Sequence, residues 1–186
     1  MRPIVLLFTL LMFLFAAWGP ASALDASQRS TQLDVLFAKL QSKEDNLEML
    51  QTEQKIWTLW MESDSNSDDL LLFDATQAMN SGNFAKSEEL LNTLVAASPS
   101  YAEAWNKRAT LYFLMSRMDE SLADIVKTLD LEPRHFGALS GRGMVYQQQR
   151  KFPEALKAFR EALEINPHMP GTKAAVSLLE KITPDL

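Results

Sequence analysis

The sequence contains no cysteine, which excludes disulfide bonds, thiolate catalysis and cysteine-based zinc or iron–sulfur sites. It has only two histidines, His135 and His168, and this scarcity argues against a histidine-rich metal site. Basic residues are fewer than acidic ones, so the formal net charge of −6 gives the whole molecule no electrostatic attraction for nucleic acid. The sequence therefore predicts no metal, no cofactor and no nucleic-acid partner.

Catalytic motifs are missing as well. The chain has no glycine-rich phosphate loop, no nucleophile elbow and no motif that joins a histidine to a carboxylate. The carboxylate pairs Asp68-Asp69 and Glu88-Glu89 are expected on solvated faces or at helix starts, where the helix dipole favours negative charge. The sequence predicts a protein that is not an enzyme.

Charge is also absent from Ile4–Trp18, an uninterrupted run that follows the basic Arg2. The small residues Ala21-Ser22-Ala23 come next and suit a signal peptidase, so residues 1–23 are predicted to be a cleaved export signal. An uncleaved membrane anchor is the alternative, although a helix of this length covers only about 22 Å, less than the roughly 30 Å hydrocarbon core of a bilayer. We expect no membrane span after cleavage. The short basic start favours the bacterial periplasm, and a eukaryotic secretory lumen stays open as the other location.

A repeat dominates the second half of the chain. Pro99, Pro133 and Pro167 stand 34 residues apart, and the same shift aligns apolar and small residues between them. Each unit reads as two amphipathic helices, A and B, joined by a turn so short that they must form an antiparallel hairpin. The aligned sets include Leu71, Trp105 and Leu139; Ala75, Ala109 and Gly143; Ala78, Tyr112 and Tyr146; and Leu91, Ile125 and Phe159.

This pattern resembles the tetratricopeptide repeat family, whose signature is W-x2-L-G-x2-Y, then A-x3-F, then P, over 34 residues. The third unit matches with Leu139, Gly143, Tyr146, Ala155, Phe159 and Pro167, and the second with Trp105, Ala109, Tyr112, Ser121, Ile125 and Pro133. The resemblance implies an all-α tetratricopeptide α-solenoid with repeats at 68–101, 102–135 and 136–169.

The flanking segments are expected to cover the ends of this solenoid, because a hairpin buries its apolar face only against neighbours. Residues 24–67 are predicted to form an N-terminal helical cap or degenerate repeat, with Trp57 and Trp60 in its core rather than stacking on a ligand. Residues 170–186 are predicted to hold a C-terminal capping helix, over Thr172–Ile182.

The resemblance also implies a concave groove, lined by the A helices, that holds a peptide or helix of a partner protein. The family's groove positions form an uncharged, amide-containing surface here, without the cations of the carboxylate-clamp subgroup, so the expected ligand is an extended or helical apolar segment. The alternative is that the groove packs against another copy of the chain or against an end helix. The candidate groove residues are Thr76, Met79, Asn106, Thr110, Phe113, Ser140, Met144 and Gln147.

Arginine recurs at one position of helix A, as Arg108 and Arg142, although that position borders the apolar stripe. Hairpin geometry places Asp124 of the same repeat beside Arg108, and family members commonly pair these two positions. Since Ala158 stands at the corresponding position of the third repeat, we expect Arg142 to share Asp124 across the repeat interface. All three residues are thus predicted to be structural rather than ligand-binding.

The start of the third repeat is rich in glycine, with Gly137, Gly141 and Gly143 inside an expected helix. Glycine lets another backbone or ring come close, either a neighbouring helix or a bound peptide. His135 just before them is expected at the surface or at a helix start. The function predicted from all of this is a non-catalytic interaction scaffold in the cell envelope; the alternative is a structural subunit that self-associates or assembles into a larger complex.

Overall fold

The computed structural model describes residues 26–41 and 46–183. These residues form nine α-helices and no strand, as the sequence predicts. The predicted export signal and the last three residues lie outside the described part of the chain. The helices are α1 (Ala26–Leu40), α2 (Asn46–Met61), α3 (Asn66–Asn80), α4 (Phe84–Ala97), α5 (Ala102–Leu114), α6 (Met118–Leu131), α7 (Phe136–Gln148), α8 (Phe152–Ile165) and α9 (Pro170–Ile182).

The turns inside the three central hairpins share one backbone geometry. Gly82, Ser116 and Arg150 occupy the same repeat position and all have a positive φ, of 79°, 60° and 59°. In each turn the next residue's N–H donates back to a carbonyl near the end of helix A, at 2.8–2.9 Å, which satisfies an acceptor that the helix end would leave unpaired. Helix B then begins two residues after the residue with positive φ. The shared turn geometry therefore sets the antiparallel direction of helix B in each of the three hairpins.

Small residues let helices A and B approach closely within each hairpin. The hydroxyls of Ser87 and Ser121 donate to the carbonyls of Ala75 and Ala109 across their hairpins, at 2.9 and 2.8 Å. In the third hairpin Gly143 faces the ring of Phe159 so closely that a Cβ would lie 2.5 Å from it. The repeated small residues are therefore required by packing.

Successive hairpins stack by packing helix B of one against helix A of the next. α4 packs along α5, α6 along α7, and α8 along α9. The C-terminal helix is thus confirmed, beginning at Pro170 and covering α8 through Leu179 and Val176.

The N-terminal hairpin does not continue this stack, contrary to the expectation that it caps the solenoid end. α2 does not pack along α3; instead α1 and α2 lie across the turns that connect successive repeats. Their apolar side chains, including Trp60, share a cluster with Phe136 at the start of α7, and Ile165 and Met169 pack against it. Trp60 is a core residue, as predicted, and Trp57 packs half-buried against the same cluster, but this core runs along one edge of the three repeats.

Polar contacts hold this hairpin along the same edge. Arg134, in the turn before α7, pairs with Asp34 at 2.6 Å and places its guanidinium 4.4 Å from the ring centroid of Phe37. Farther along, the Gln41 amide donates to the carbonyls of Glu164 and Ile165 at the end of α8. Among the described residues no helix is long and apolar enough to cross a membrane.

Candidate functional site

A narrow crevice opens on the concave surface between α5 and α7. Its volume is about 80 Å³. It brings together four of the predicted groove residues, and the side chains of Thr110 and Met144 are exposed at its mouth. The walls are Asn106, Ala109, Thr110, Phe113, Ser121, Ile125, Gly137, Gly141 and Met144. The lining carries no formal charge, so the crevice suits an uncharged segment.

Two of the predicted groove residues are too buried to meet a ligand directly. Met79 is only 8% exposed because it packs in the core between the first and second repeats. Asn106 is also 8% exposed, and its amide donates to the buried Glu103 carboxylate at 3.0 Å. The sequence register places both on the groove side of their helices, but neighbouring side chains cover nearly all of each, so Asn106 contributes only a small exposed part to the crevice wall.

The other predicted residues do not line this crevice. The Thr76 hydroxyl donates to the Leu72 carbonyl of its own helix, at 2.7 Å. The Ser140 hydroxyl lies 3.0 Å from the Thr172 hydroxyl of α9, and Gln147 is half-buried farther along α7. Their contribution to a binding site stays a prediction, and the crevice between α5 and α7 is the part of the groove with a defined shape.

A buried polar cluster lies directly behind the crevice and was not foreseen from the sequence. The Glu103 carboxylate is fully buried; its Oε2 lies 2.9 Å from His135 Nε2, and Lys107 Nζ lies 3.2 Å from its Oε1. The imidazole stacks on the ring of Trp60, with centroids 4.0 Å apart and planes 10° from parallel. The cluster therefore joins α2, α5 and α7.

Hydrogen bonding fixes the roles of the two His135 nitrogens. Nδ1 accepts the N–H of Ala138 at 3.1 Å and caps the first turn of α7, so Nε2 carries the proton and donates to Glu103. Of the two expected positions for His135, the helix start is confirmed and the surface is wrong, because the residue caps α7 and is fully buried. Only the folding of α2 over the α6–α7 turn buries it, and no local sequence signal carries that information.

The Glu103 carboxyl is held in its charged form. Burial alone would raise its pKa, but the hydrogen bond from His135 and the neighbouring Lys107 ammonium outweigh burial and hold the pKa below its ordinary value. Lys107 is thereby paired with Glu103, and its ammonium also lies 6.0 Å from the Trp57 ring centroid.

The pair predicted between Arg108 and Asp124 is present. Arg108 Nε and Nη2 donate to the two oxygens of Asp124 at 2.7 and 2.9 Å, and Nη1 donates to Asn92 of the preceding repeat at 2.9 Å. The hydrogen bond to Asp124 raises the pKa of Arg108 despite partial burial. These contacts tie α4, α5 and α6 together on the side away from the crevice, so Arg108 is part of the solenoid wall.

The prediction that Arg142 shares Asp124 is wrong. Arg142 pairs with Glu161 on the helix B of its own repeat. Glu161 lies almost one helical turn beyond Ala158, the position that corresponds to Asp124, and the long arginine side chain reaches it within the hairpin. A partner inside the same hairpin is closer than one across the repeat interface.

The fold and the crevice define a class: an all-α solenoid of stacked helix hairpins with an uncharged concave surface. Two family models described as tetratricopeptide repeat match residues 75–128 and 137–169. A tetratricopeptide repeat-containing protein of Rhizobium etli is 33% identical over 154 residues, which make up 83% of this chain and 76% of that relative. The chain therefore belongs to the tetratricopeptide repeat family.

More distant similarities concern the repeats alone. Sperm-associated antigen 1 of Rattus norvegicus is 31% identical over 105 residues, or 56% of this chain, and the match spans only 12% of that protein. Among solved structures, the first tetratricopeptide repeat domain of Spaghetti (RPAP3), bound to the HSP90 peptide SRMEEVD, superposes with a TM-score of 0.62 at 19% identity. It covers 66% of this chain and 97% of that domain. At this identity the likeness shows the fold.

Proposed function

We propose that this protein is a non-catalytic interaction scaffold that holds a segment of a partner protein against the concave surface between α5 and α7. The observation that supports it most directly is the uncharged crevice, which has exposed Thr110 and Met144 at its mouth and two glycines in its wall. Gly141 leaves room there, since an added Cβ would meet only Ile125, at 3.8 Å. A narrow apolar slot beside a hydroxyl suits one inserted side chain of an extended or helical peptide.

The charge of the crevice distinguishes its ligand from the acidic peptide bound by the Spaghetti domain. A peptide that carries several carboxylates needs cations to replace the water it loses. The crevice walls carry none, and Lys107 of the same helix α5 is paired with Glu103. We therefore expect an uncharged partner segment with an apolar anchor residue.

The cell envelope is the proposed location, with the bacterial periplasm first. The support is the sequence pattern of residues 1–23, an uncharged run that follows a basic residue and ends in small residues. A protein in this location would bind another exported or envelope protein.

A photo-crosslinking experiment tests the groove. A photoreactive phenylalanine analogue replaces Phe113 in the crevice, or Lys127 on the exposed surface of α6 as the control, and the chain is expressed in cells that make it naturally. We expect one discrete crosslinked partner from position 113 and none from position 127. Thr110→Arg should abolish that product, because it places a charge at the crevice mouth without disturbing the core.

Equal products from both positions, or a product that survives Thr110→Arg, would move the site away from the crevice. The alternative function, a structural subunit that self-associates, is tested by light scattering on the eluted peak of a size-exclusion column. A mass that stays at one chain over a wide concentration range favours the adaptor, and a stable oligomer favours the subunit.

A further inference from the structure

Among the described residues, the outer face of α3 has no neighbouring helix of the kind that α5, α7 and α9 have. Because α1 and α2 lie along the edge of the repeats, no described helix packs along α3 on the side away from α5. Leu70 and Phe73 are 64% and 54% exposed on this face, and Asp74 and Gln77 are exposed beside them. We call these four residues the α3 end face.

The repeat register shows that this exposure comes from a missing helix. The positions that correspond to Leu70 in the next two repeats are Ala104 and Ala138, and both are 0% exposed. Those that correspond to Gln77 are Leu111 and Val145, which are also 0% exposed. In each case the preceding helix B, α4 or α6, covers the position. The α3 end face is thus the same interface repeated once more, and no helix in the described part of the chain covers it.

Charge indicates what the missing helix must carry. In the second repeat, Arg108 donates to Asn92 of the preceding helix B, so helix A supplies the donor and its neighbour the acceptor. Asp74 stands at the Arg108 position of the first repeat and can only accept. Among the described residues no side chain forms an ion pair or hydrogen bond with Asp74. A helix that packs here must therefore bring a donor, and a lysine or arginine fits best.

We propose that the α3 end face binds a basic amphipathic helix of a partner protein, which packs antiparallel to α3 as a substitute for the absent helix B. Leu70 and Phe73 supply the apolar contact, and Asp74 pairs with a cation of the partner helix. α3 has 15 residues, or about 22 Å, so four turns of partner helix suffice. This site is separate from the concave crevice and does not depend on the function proposed for it.

Two other occupants fit the charge less well. A second copy packed about a two-fold axis through this face would present the same four residues, which include no cation for Asp74. The chain's own apolar run, residues 4–18, contains no cation, and Arg2 just before it belongs to the segment predicted to be cleaved. Coverage of the α3 end face by either of these occupants can be measured, and either result would overturn the proposal.

The experiment uses the absence of cysteine. In the full chain, Gln77→Cys gives a single attachment point for an environment-sensitive fluorophore on the α3 end face. The two probes are 18-residue amphipathic helices of leucine with lysine, and of leucine with glutamate, titrated at physiological salt. We expect the lysine helix to shift the emission and to bind at least about fivefold more tightly than the glutamate helix.

Matched variants separate this site from general attraction to an acidic protein. Phe73→Ala should weaken binding of the lysine helix at least about fivefold, and Leu178→Ala, which removes an apolar side chain of similar exposure on α9, should not. Asp74→Asn should reduce the preference for lysine over glutamate, and Asp130→Asn, with the same change in net charge, should leave it intact. Equal effects of the two aspartate variants would overturn the proposal.

The emission of the same fluorophore also distinguishes the two other occupants, the chain's own N-terminal segment and a second copy of the chain. Shielded emission in the absence of peptide, at every protein concentration, would mean that the chain covers its own face. Emission that becomes shielded as the protein concentration rises would mean that a second copy does so. The proposal requires that the fluorophore emit as a solvent-exposed group until the lysine helix is added. Met144→Arg in the crevice should have no effect on the titration.

Discussion

The Arg108–Asp124 pair offers a quantitative test of how the solenoid is held together. The change is Asp124→Ala, which removes two of the three hydrogen bonds made by Arg108. The guanidinium would stay between α4, α5 and α6, with its side chain 16% exposed, while the lost carboxylate is 5% exposed in the folded protein. Removing one partner of a buried pair costs about 3–5 kcal/mol because the other charge is left uncompensated.

We expect a loss in unfolding free energy of about 3 kcal/mol, at the lower end of that range, since Arg108 keeps its bond to Asn92 and some contact with water. The third repeat provides the matched control. Arg142 and Glu161 form the corresponding pair at 25% and 32% exposure, so Glu161→Ala should cost only about 0.5–1 kcal/mol. The comparison separates burial of the pair from its mere presence.

Urea denaturation followed by circular dichroism at 222 nm measures both variants. Intrinsic tryptophan fluorescence gives a second signal, to which Trp105, whose ring centroid lies 4.9 Å from the Arg108 guanidinium, contributes together with the other three tryptophans. Coincident transitions by the two signals are needed for a two-state free energy, which stacked repeats do not always give. If Asp124→Ala cost no more than Glu161→Ala, the view that burial makes this pair structural would be refuted.

Three further predictions concern the junction of α2, α5 and α7. Gly137→Ala should destabilise the protein by about 1–3 kcal/mol in thermal or urea unfolding, because the new Cβ would lie 2.5 Å from the Trp57 ring. Gly141→Ala in the same helix should instead be neutral or stabilising by up to about 1 kcal/mol, so equal losses would contradict the contact. His135→Ala should cost about 3 kcal/mol, since the cap of α7 and a charged hydrogen bond are both lost; an unchanged urea midpoint would argue against the cluster. Because the pKa of Glu103 is lowered on folding, its contribution to stability should be complete above about pH 4.5 and be lost as the pH falls further; Glu103→Gln should flatten this part of a urea midpoint against pH profile.

The repeats show how much of the fold the sequence predicts. The 34-residue spacing of the prolines identifies the hairpins, and helices α5, α7 and α9 begin at or next to the predicted repeat boundaries. The Arg108–Asp124 pair was also predictable, because both residues belong to one hairpin whose geometry the turn fixes. Local spacing determines such contacts, since residues at helical intervals share a face whatever the rest of the chain does.

The candidate site was predicted less completely. The register identified Thr110, Phe113 and Met144 on the concave side, and the crevice contains them. It could not show that Asn106 turns inward to Glu103, whose carboxylate also bonds His135 at the far end of the same repeat. Whether a groove position is open to a ligand is decided by neighbours far away in sequence.

The sequence by itself determined the helices, their antiparallel pairing and the stacking of the three repeats, because these follow from a period that each unit carries within 34 residues. Only the tertiary structure decided where the N-terminal hairpin lies. Its apolar stripe could pack equally well on the solenoid end or on the edge, and the choice rests on contacts such as Trp60 with His135, whose residues are 75 positions apart. That choice buries His135 under Trp60 and leaves the α3 end face uncovered by any helix of the described residues.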